Sequence, residues 1–294
     1  MTGLPLRTRS MVRPIFEHIP WRGRKANGRR DSTRWCPKIV ALDIDGTLVR
    51  AGGLPSERVK VAVAKAECAG SQVMVTTGRS LAETKLILEE LGLVHGLAIC
   101  SNGAVVARAS SGAVVKCCTF DARPVINRIL SKAPTAIIAA EDSEGQYMVT
   151  TPFPDGELHA QQVQRCLDEL LEEPVARVII RDINSSADDF IELASRLDRR
   201  DVSYSVGFKA WLDLGPAHIS KGTALSEIAR SLGIPADDCL AIGDGRNDLE
   251  MLQWAGRGVA MGHAPCEVKC AADSVTLGVD QDGAAVELER WFSK

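Results

Sequence analysis

Short apolar runs that stop on an acid, a threonine or a glycine, each followed by a segment of helical periodicity, constrain this chain more than any other feature. Lys38-Ile-Val-Ala-Leu42 lacks the alternation of a half-exposed strand, so it predicts a buried strand. Over 55–69, Val59, Ala62, Val63 and Ala66 recur at helical spacing between Pro55-Ser56 and Gly70. Gln72-Val-Met-Val-Thr76 predicts a second strand, and Ser80 with Glu83 a capping box that opens the next helix. Leu97-Ala-Ile-Cys100 predicts a third strand, and 104–107 with 113–117 a hairpin. The rhythm returns late in the chain. Ala224, Leu225, Ile228, Ala229 and Leu232 line a helix ended by Gly233 and Pro235, Cys239-Leu-Ala-Ile242 is a strand, and 246–254 is a helix. Strands alternating with helices imply an α/β fold, a parallel sheet with helices on both faces.

The middle of the chain breaks that order. The pattern predicts helix 121–131, strands 135–140 and 146–150, helix 157–171, strand 176–181, helix 186–199 and strands 202–206 and 209–213. Paired strands between single helices suggest an α+β module, 121–210, inserted into a core made of 38–120 and 211–294. Residues 1–37 carry nine Lys/Arg against two acids, a net +7 that leaves −10 for the rest of a chain whose total is −3. A body this acidic is a poor general nucleic-acid binder. The basic leader, rich in Arg, Gly and Pro and without periodicity, is expected to be disordered. No run approaches the ~18 apolar residues of a membrane span, and no secretory h-region is present, so no membrane partner is expected. Nine cysteines show no zinc-like spacing and read as small apolar residues of a reducing, cytoplasmic compartment.

Candidate chemistry sits at strand ends, where open α/β sheets bind ligands. Asp43-Ile44-Asp45-Gly46-Thr47 places two carboxylates after the first strand, with Asp43 a candidate nucleophile and Asp45 a candidate acid/base; read alone, it is equally an Asx turn. Thr76-Thr77-Gly78-Arg79 precedes a capped helix, so the Thr77 hydroxyl and the Gly78 N–H could hold a phosphate, although an ordinary turn reads the same. Gly243-Asp244-Gly245-Arg246-Asn247-Asp248 offers oxygen donors suited to Mg²⁺. Lys221 opens a helix, where an ammonium is disfavoured unless an anion is near. One chemistry uses all four segments: Asp43 attacks phosphorus, Mg²⁺ bridges Asp43, Asp244 and the phosphate, Lys221 and Thr77 neutralise it, and Asp45 moves the proton.

DIDGTLV, TTGR, SKGTAL and GDGRNDLEML resemble, in order, the four motifs of the haloacid dehalogenase-like superfamily, in particular its Cof-type, class IIB sugar-phosphatase branch. Further matches are Cys100-Ser-Asn-Gly-Ala104, Gly258-Val-Ala-Met-Gly262 and Asp280-Gln-Asp-Gly283. The resemblance implies a Rossmann-like core with an inserted α/β cap of the C2B type, and a phosphatase of small phosphorylated metabolites. It implies Asp43 as nucleophile and metal ligand, Asp45 as acid/base with its backbone carbonyl on Mg²⁺, Asp244 as a further ligand and Asp248 in support. Ile44 (through its amide), Thr77, Gly78, Lys221 and Asn247 would contact phosphate. A related branch of phosphomutases is an alternative, with Arg177 or Arg181 holding a second phosphate; a non-catalytic binding module is a third. His263 and Val279 stand where the family commonly has Asn, and His263 is expected to be an uninvolved loop residue rather than a pH-sensitive contact.

Overall fold

The computed structural model describes residues 35–292 apart from 51, 94, 144, 155–157, 159–160, 198–200 and 207–210. The basic leader lies outside the described residues up to position 34. The first part of the chain runs β1 (Ile39–Asp43), α1 (Glu57–Cys68), β2 (Gln72–Thr76), α2 (Leu81–Leu91), β3 (Leu97–Cys100), β4 (Val105–Arg108) and β5 (Val114–Cys117). The middle runs α3 (Arg123–Leu130), β6 (Ile137–Glu141), β7 (Tyr147–Val149), β8 (Gln162–Gln164), α4 (Leu167–Leu170), β9 (Arg177–Arg181), α5 (Ala187–Ser195), β10 (Val202–Val206) and β11 (Trp211–Pro216). The last part runs α6 (Lys221–Ser231), β12 (Cys239–Gly243), α7 (Leu249–Trp254), β13 (Arg257–Ala260), α8 (Cys266–Ala271), β14 (Ser274–Val275) and α9 (Gly283–Phe292).

These strands form two sheets. The larger has the order β14-β13-β12-β1-β2-β3-β4-β5, parallel from β14 to β3 and antiparallel through the β4–β5 hairpin. Alternate residues feed two cores: Val40, Leu42, Val73, Val75, Leu240 and Ile242 point into one, and Ile39, Ala41, Met74, Cys239 and Ala241 into the other. Helices cover both faces, with α1, α2 and α9 on the first core and α6, α7 and α8 on the second. That double cover is why these strands are apolar throughout. Ser56 caps α1, and Ser80 with Glu83 closes the expected capping box on α2. All nine cysteines are free thiols, and no helix among the described residues is long and apolar enough to cross a membrane.

The smaller sheet has the order β10-β11-β9-β6-β7-β8 and its own apolar core, built on Ile126, Ile129, Ile138, Ile180, Phe190 and Leu212. Two expectations need correction here. The helix expected over 157–171 begins in part outside the described residues (157, 159 and 160); among the described ones Gln162–Gln164 is a strand beside β7, and only Leu167–Leu170 is helical. Edge pairing outweighs the local preference of Gln, Leu and Glu for helix. Pairing begins as Gln162 Oε1 accepts from the Phe153 N–H at 2.9 Å. Likewise, a module boundary after 210 falls one strand too early. Trp211–Pro216 pairs antiparallel with both β10 and β9, and Leu212 and Leu214 enter the smaller sheet's core.

Candidate active site

Strand β1 lies between β2 and β12, so the chain leaves it in one direction toward β3 and resumes on its other side at β12. This reversal opens a crevice at the carboxyl ends of β1 and β12. Asp43 ends β1, and the 244–248 loop follows β12. Close approach is enforced by glycine. Gly46 has φ +79°, and a Cβ there would stand 2.3 Å from Asp244 Oδ2. A Cβ on Gly243 would meet Asp248 Cγ at 2.5 Å.

Lys221 reaches this crevice from the first turn of α6, with 1% of its surface exposed. Its Nζ donates to Asp43 Oδ1 at 2.6 Å and to Asp248 Oδ1 at 2.7 Å. Asp248 Oδ2 accepts from the N–H groups of Asp244 (3.0 Å) and Gly245 (2.9 Å), so both of its oxygens are occupied. Asp244 has weaker contacts, with Thr47 Oγ1 at 3.5 Å and His263 Nε2 at 3.3 Å. Carboxylate oxygens of Asp43, Asp244 and Asp248 all lie within 4.8 Å of one another.

Three carboxylates therefore face one ammonium, and burial together with this charge balance shifts Asp43, Asp244 and Lys221. Burial, then the charge of Asp248, pushes Asp43 well above the usual carboxylate range, with Lys221 opposing. Burial and Asp248 likewise push Asp244 up, against His263 and Lys221. Burial works against the Lys221 ammonium, but Asp248 and Asp43 outweigh it and hold Lys221 above an ordinary lysine. Hard oxygen donors with excess negative charge fit a small divalent cation such as Mg²⁺.

The remaining sequence candidates form the rim. Both oxygens of Asp45 accept from Arg79, at 2.8 Å from Nε and 2.5 Å from Nη2. Thr77 is fully buried, and its Oγ1 accepts from the Arg79 N–H at 3.0 Å, which leaves the hydroxyl proton available to a ligand. Ile44 buries its side chain, and its carbonyl accepts from the N–H groups of Thr47, Leu48 and Val49 to close the loop. Asn247 Nδ2 donates to Asn102 Oδ1 at 3.0 Å, and Asn102 Oδ1 stands 3.3 Å from where a Gly78 Cβ would be. Asn102 thus joins the second and fourth motifs, a role its place in the SNGA segment did not suggest.

One expectation fails at this level, and the mutase alternative loses a support. His263 does touch the site: its Nδ1 accepts from the Val279 N–H at 3.4 Å while its Nε2 faces Asp244. The two departures from the family pattern, His263 and Val279, are therefore in contact. Arg177 is not presented to a second phosphate; it is buried in the smaller sheet, donating to Asp213 at 2.6 Å and to Tyr147 Oη at 2.8 Å. Arg181 is largely buried too and donates to the Asp182 carbonyl at 2.6 Å. A separate cleft of about 340 Å³, between the β4–β5 hairpin and α6, contains the Lys116–Glu227 ion pair and none of the residues above.

Comparison with known proteins agrees with this geometry. The sequence profile of the haloacid dehalogenase-like hydrolases matches residues 40–288. The chain belongs to this family. Phosphatase YwpJ of Bacillus subtilis is 29% identical, over 84% of this chain and 97% of its own. A haloacid dehalogenase-like hydrolase structure from B. subtilis superposes with a TM-score of 0.75 at 25% identity, covering 86% of this chain and 99% of the other. The subclass IIB sugar phosphatase BT4131 shares the fold with a TM-score of 0.71 at 24% identity, over 86% and 98% of the two chains. This haloacid dehalogenase-like hydrolase is accordingly an enzyme of the phosphatase type, with the fold those structures share.

Proposed function

We propose that the protein is a Mg²⁺-dependent phosphatase of a small phosphorylated metabolite, a sugar phosphate or similar monoester, and that it works through an aspartyl phosphate on Asp43. The observation that carries this reading is the buried Lys221 bridging Asp43 and Asp248 beside Asp244 at the sheet's crevice. Asp43 and Asp244 would hold the cation with the Asp45 carbonyl. Asp248, its oxygens already bonded, supports them. When bound, the cation supplies charge neutralisation between the anionic nucleophile and the phosphate dianion.

An Asp43 carboxylate oxygen attacks phosphorus as the ester P–O bond breaks, and the leaving oxygen takes a proton from Asp45. Water then gives a proton to Asp45 and attacks phosphorus, the Asp43–phosphorus bond breaks, and inorganic phosphate leaves. Arg79 donates to both oxygens of Asp45 and orients the carboxyl, leaving each oxygen a second lone pair for the proton. Lys221, Thr77, Asn247 and the N–H groups of Ile44 and Gly78 would hold the phosphoryl oxygens. The smaller sheet and its helices would form the cap over this crevice, selecting the ester.

The test is inorganic phosphate release from a panel of sugar phosphates, nucleotides, pyridoxal phosphate and flavin mononucleotide, with and without chelator. Asp43→Asn should abolish turnover and any phosphoenzyme. Asp45→Asn should cost roughly 10²–10⁴-fold on poor leaving groups, and less on p-nitrophenyl phosphate, which needs little protonation. Full activity after metal removal, or equal losses in both variants on every substrate, would refute this mechanism.

A further inference from the structure

We propose that Glu141, at the end of β6 in the smaller sheet, is a positioning residue for the phosphate pocket, holding the Ser101–Asn102 turn in the shape that presents Asn102 to Asn247. The proposal rests on the phosphatase reading in one respect, the contact of Asn247 with phosphate.

Ser101 and Asn102 have φ of +49° and +53°, two consecutive residues in a region that side chains with a Cβ disfavour. Such a turn persists only where its surroundings over-determine it. Part of that comes from its own sheet: the Ser101 N–H donates to the Arg79 carbonyl at 2.8 Å, and the Asn102 N–H to the Thr77 carbonyl at 3.0 Å. Neither bond fixes the Ser101 side chain. Ser101 Oγ donates instead to Glu141 Oε2 at 2.6 Å, across to the other sheet. From this turn Asn102 Oδ1 accepts from Asn247, the neighbour in sequence of Asp248.

Glu141 is fully buried, and its Oε1 has no hydrogen-bond partner among the described residues. A carboxyl is a costly way to fill apolar space, and a leucine would fill it better. Its sheet neighbours in register are Tyr147 and Arg177. Burial, opposed by Arg177 and by the Ser101 bond and reinforced by Glu83 and Asp142, pushes its carboxyl up to about 7. The bond to Ser101 survives either state, since a carboxylate accepts from the hydroxyl and a carboxylic acid can donate to it. Glutamine can do the same, whereas alanine cannot.

The experiment uses the full chain with Mg²⁺ and measures inorganic phosphate binding by calorimetry, with hydrogen exchange followed over 101–104. Glu141→Ala and Ser101→Ala should each weaken phosphate binding roughly 3- to 10-fold, the worth of one hydrogen bond. Both should speed exchange at the turn. The double variant should be no worse than either single one, because both remove the same bond. Glu141→Gln should bind phosphate within about twofold of the parent, a rescue that space-filling alone does not predict. Unchanged exchange and affinity in folded Ser101→Ala, or additive losses in the double variant, would overturn the proposal. If Glu141→Ala does not fold, Ser101→Ala and Glu141→Gln decide it. A parent protein that binds no phosphate counts against the phosphatase reading, while exchange still reports whether Glu141 holds the turn.

Discussion

Replacing Lys221 with methionine keeps most of the side chain's volume and removes only the ammonium. That ammonium is sealed from solvent and lies 2.6 Å from Asp43 and 2.7 Å from Asp248, so Lys221→Met leaves two buried carboxylates without their cation. Breaking a buried pair in this way costs about 3–5 kcal/mol. Protonation of Asp43 limits the loss, because that group already lies above the usual range and Lys221 is the main influence lowering it. The pH dependence then has a definite sign. A carboxyl whose folded pKa exceeds its unfolded value of about 3.9 adds no penalty below that value and a growing one as pH rises toward the folded pKa. Losing Lys221 raises Asp43 further, so the stability deficit should be largest at neutral pH and should shrink toward about pH 4. Denaturant unfolding without Mg²⁺, followed by tryptophan fluorescence at both pH values, measures it. A variant as stable as the parent at neutral pH, or an equal deficit at both, would show that the ion pairs do not carry the burial of these acids.

Other expectations follow from single contacts. Gly46→Ala must place a methyl 2.3 Å from Asp244 Oδ2 while keeping φ at +79°, so it should destabilise by about 1–3 kcal/mol and weaken Mg²⁺ binding; calorimetric titration with unchanged affinity would contradict this. Because Asp43 and Asp244 are both pushed up, protons should compete with Mg²⁺, and its affinity should fall as pH drops through their raised values. A flat affinity across that range would remove these two acids from the cation site. Arg79→Gln should lower kcat on sugar phosphates more than on p-nitrophenyl phosphate, because it acts through Asp45; equal losses would separate Arg79 from proton transfer.

The core was legible because its signals are local. Strands buried on both faces have no alternation to blur them, so Gln72–Thr76 and Leu97–Cys100 agree residue for residue with the sequence. The capping box at Ser80 is a four-residue pattern that needs no tertiary partner. The smaller sheet depends on pairing across distance, and there the helix expected over 157–171 gave way to an edge strand. Glu141 was invisible for a related reason. It stands in Glu141-Asp142-Ser143-Glu144, which reads as a solvated charge run, and only the meeting of two sheets places its carboxyl on Ser101. Arg177 misled in the opposite direction. With Arg181 it is a candidate for the second phosphate of the mutase alternative, but it stands opposite Glu141 in register and is held within the smaller sheet by Asp213 and Tyr147.

On the proposed function, the arrangement of the acids links stability to cation binding. Asp248 has both oxygens satisfied and shares the one ammonium with Asp43, so burial and the remaining negative charge push Asp43 and Asp244 up. An assembly selected for stability alone would give Asp244 a cation of its own or replace it with a neutral residue. Keeping both, with Gly46 and Gly243 allowing the backbones to close around them, would oppose folding in the absence of a cation and favour it in its presence. Burial, with the repulsion of neighbouring acids added to it, raises the two pKa values, and a divalent ion would relieve the repulsive part on binding. Neutralising Asp244 with asparagine should therefore raise stability without Mg²⁺ while weakening the response of stability to added Mg²⁺, two opposite shifts that a purely structural acid would not produce together.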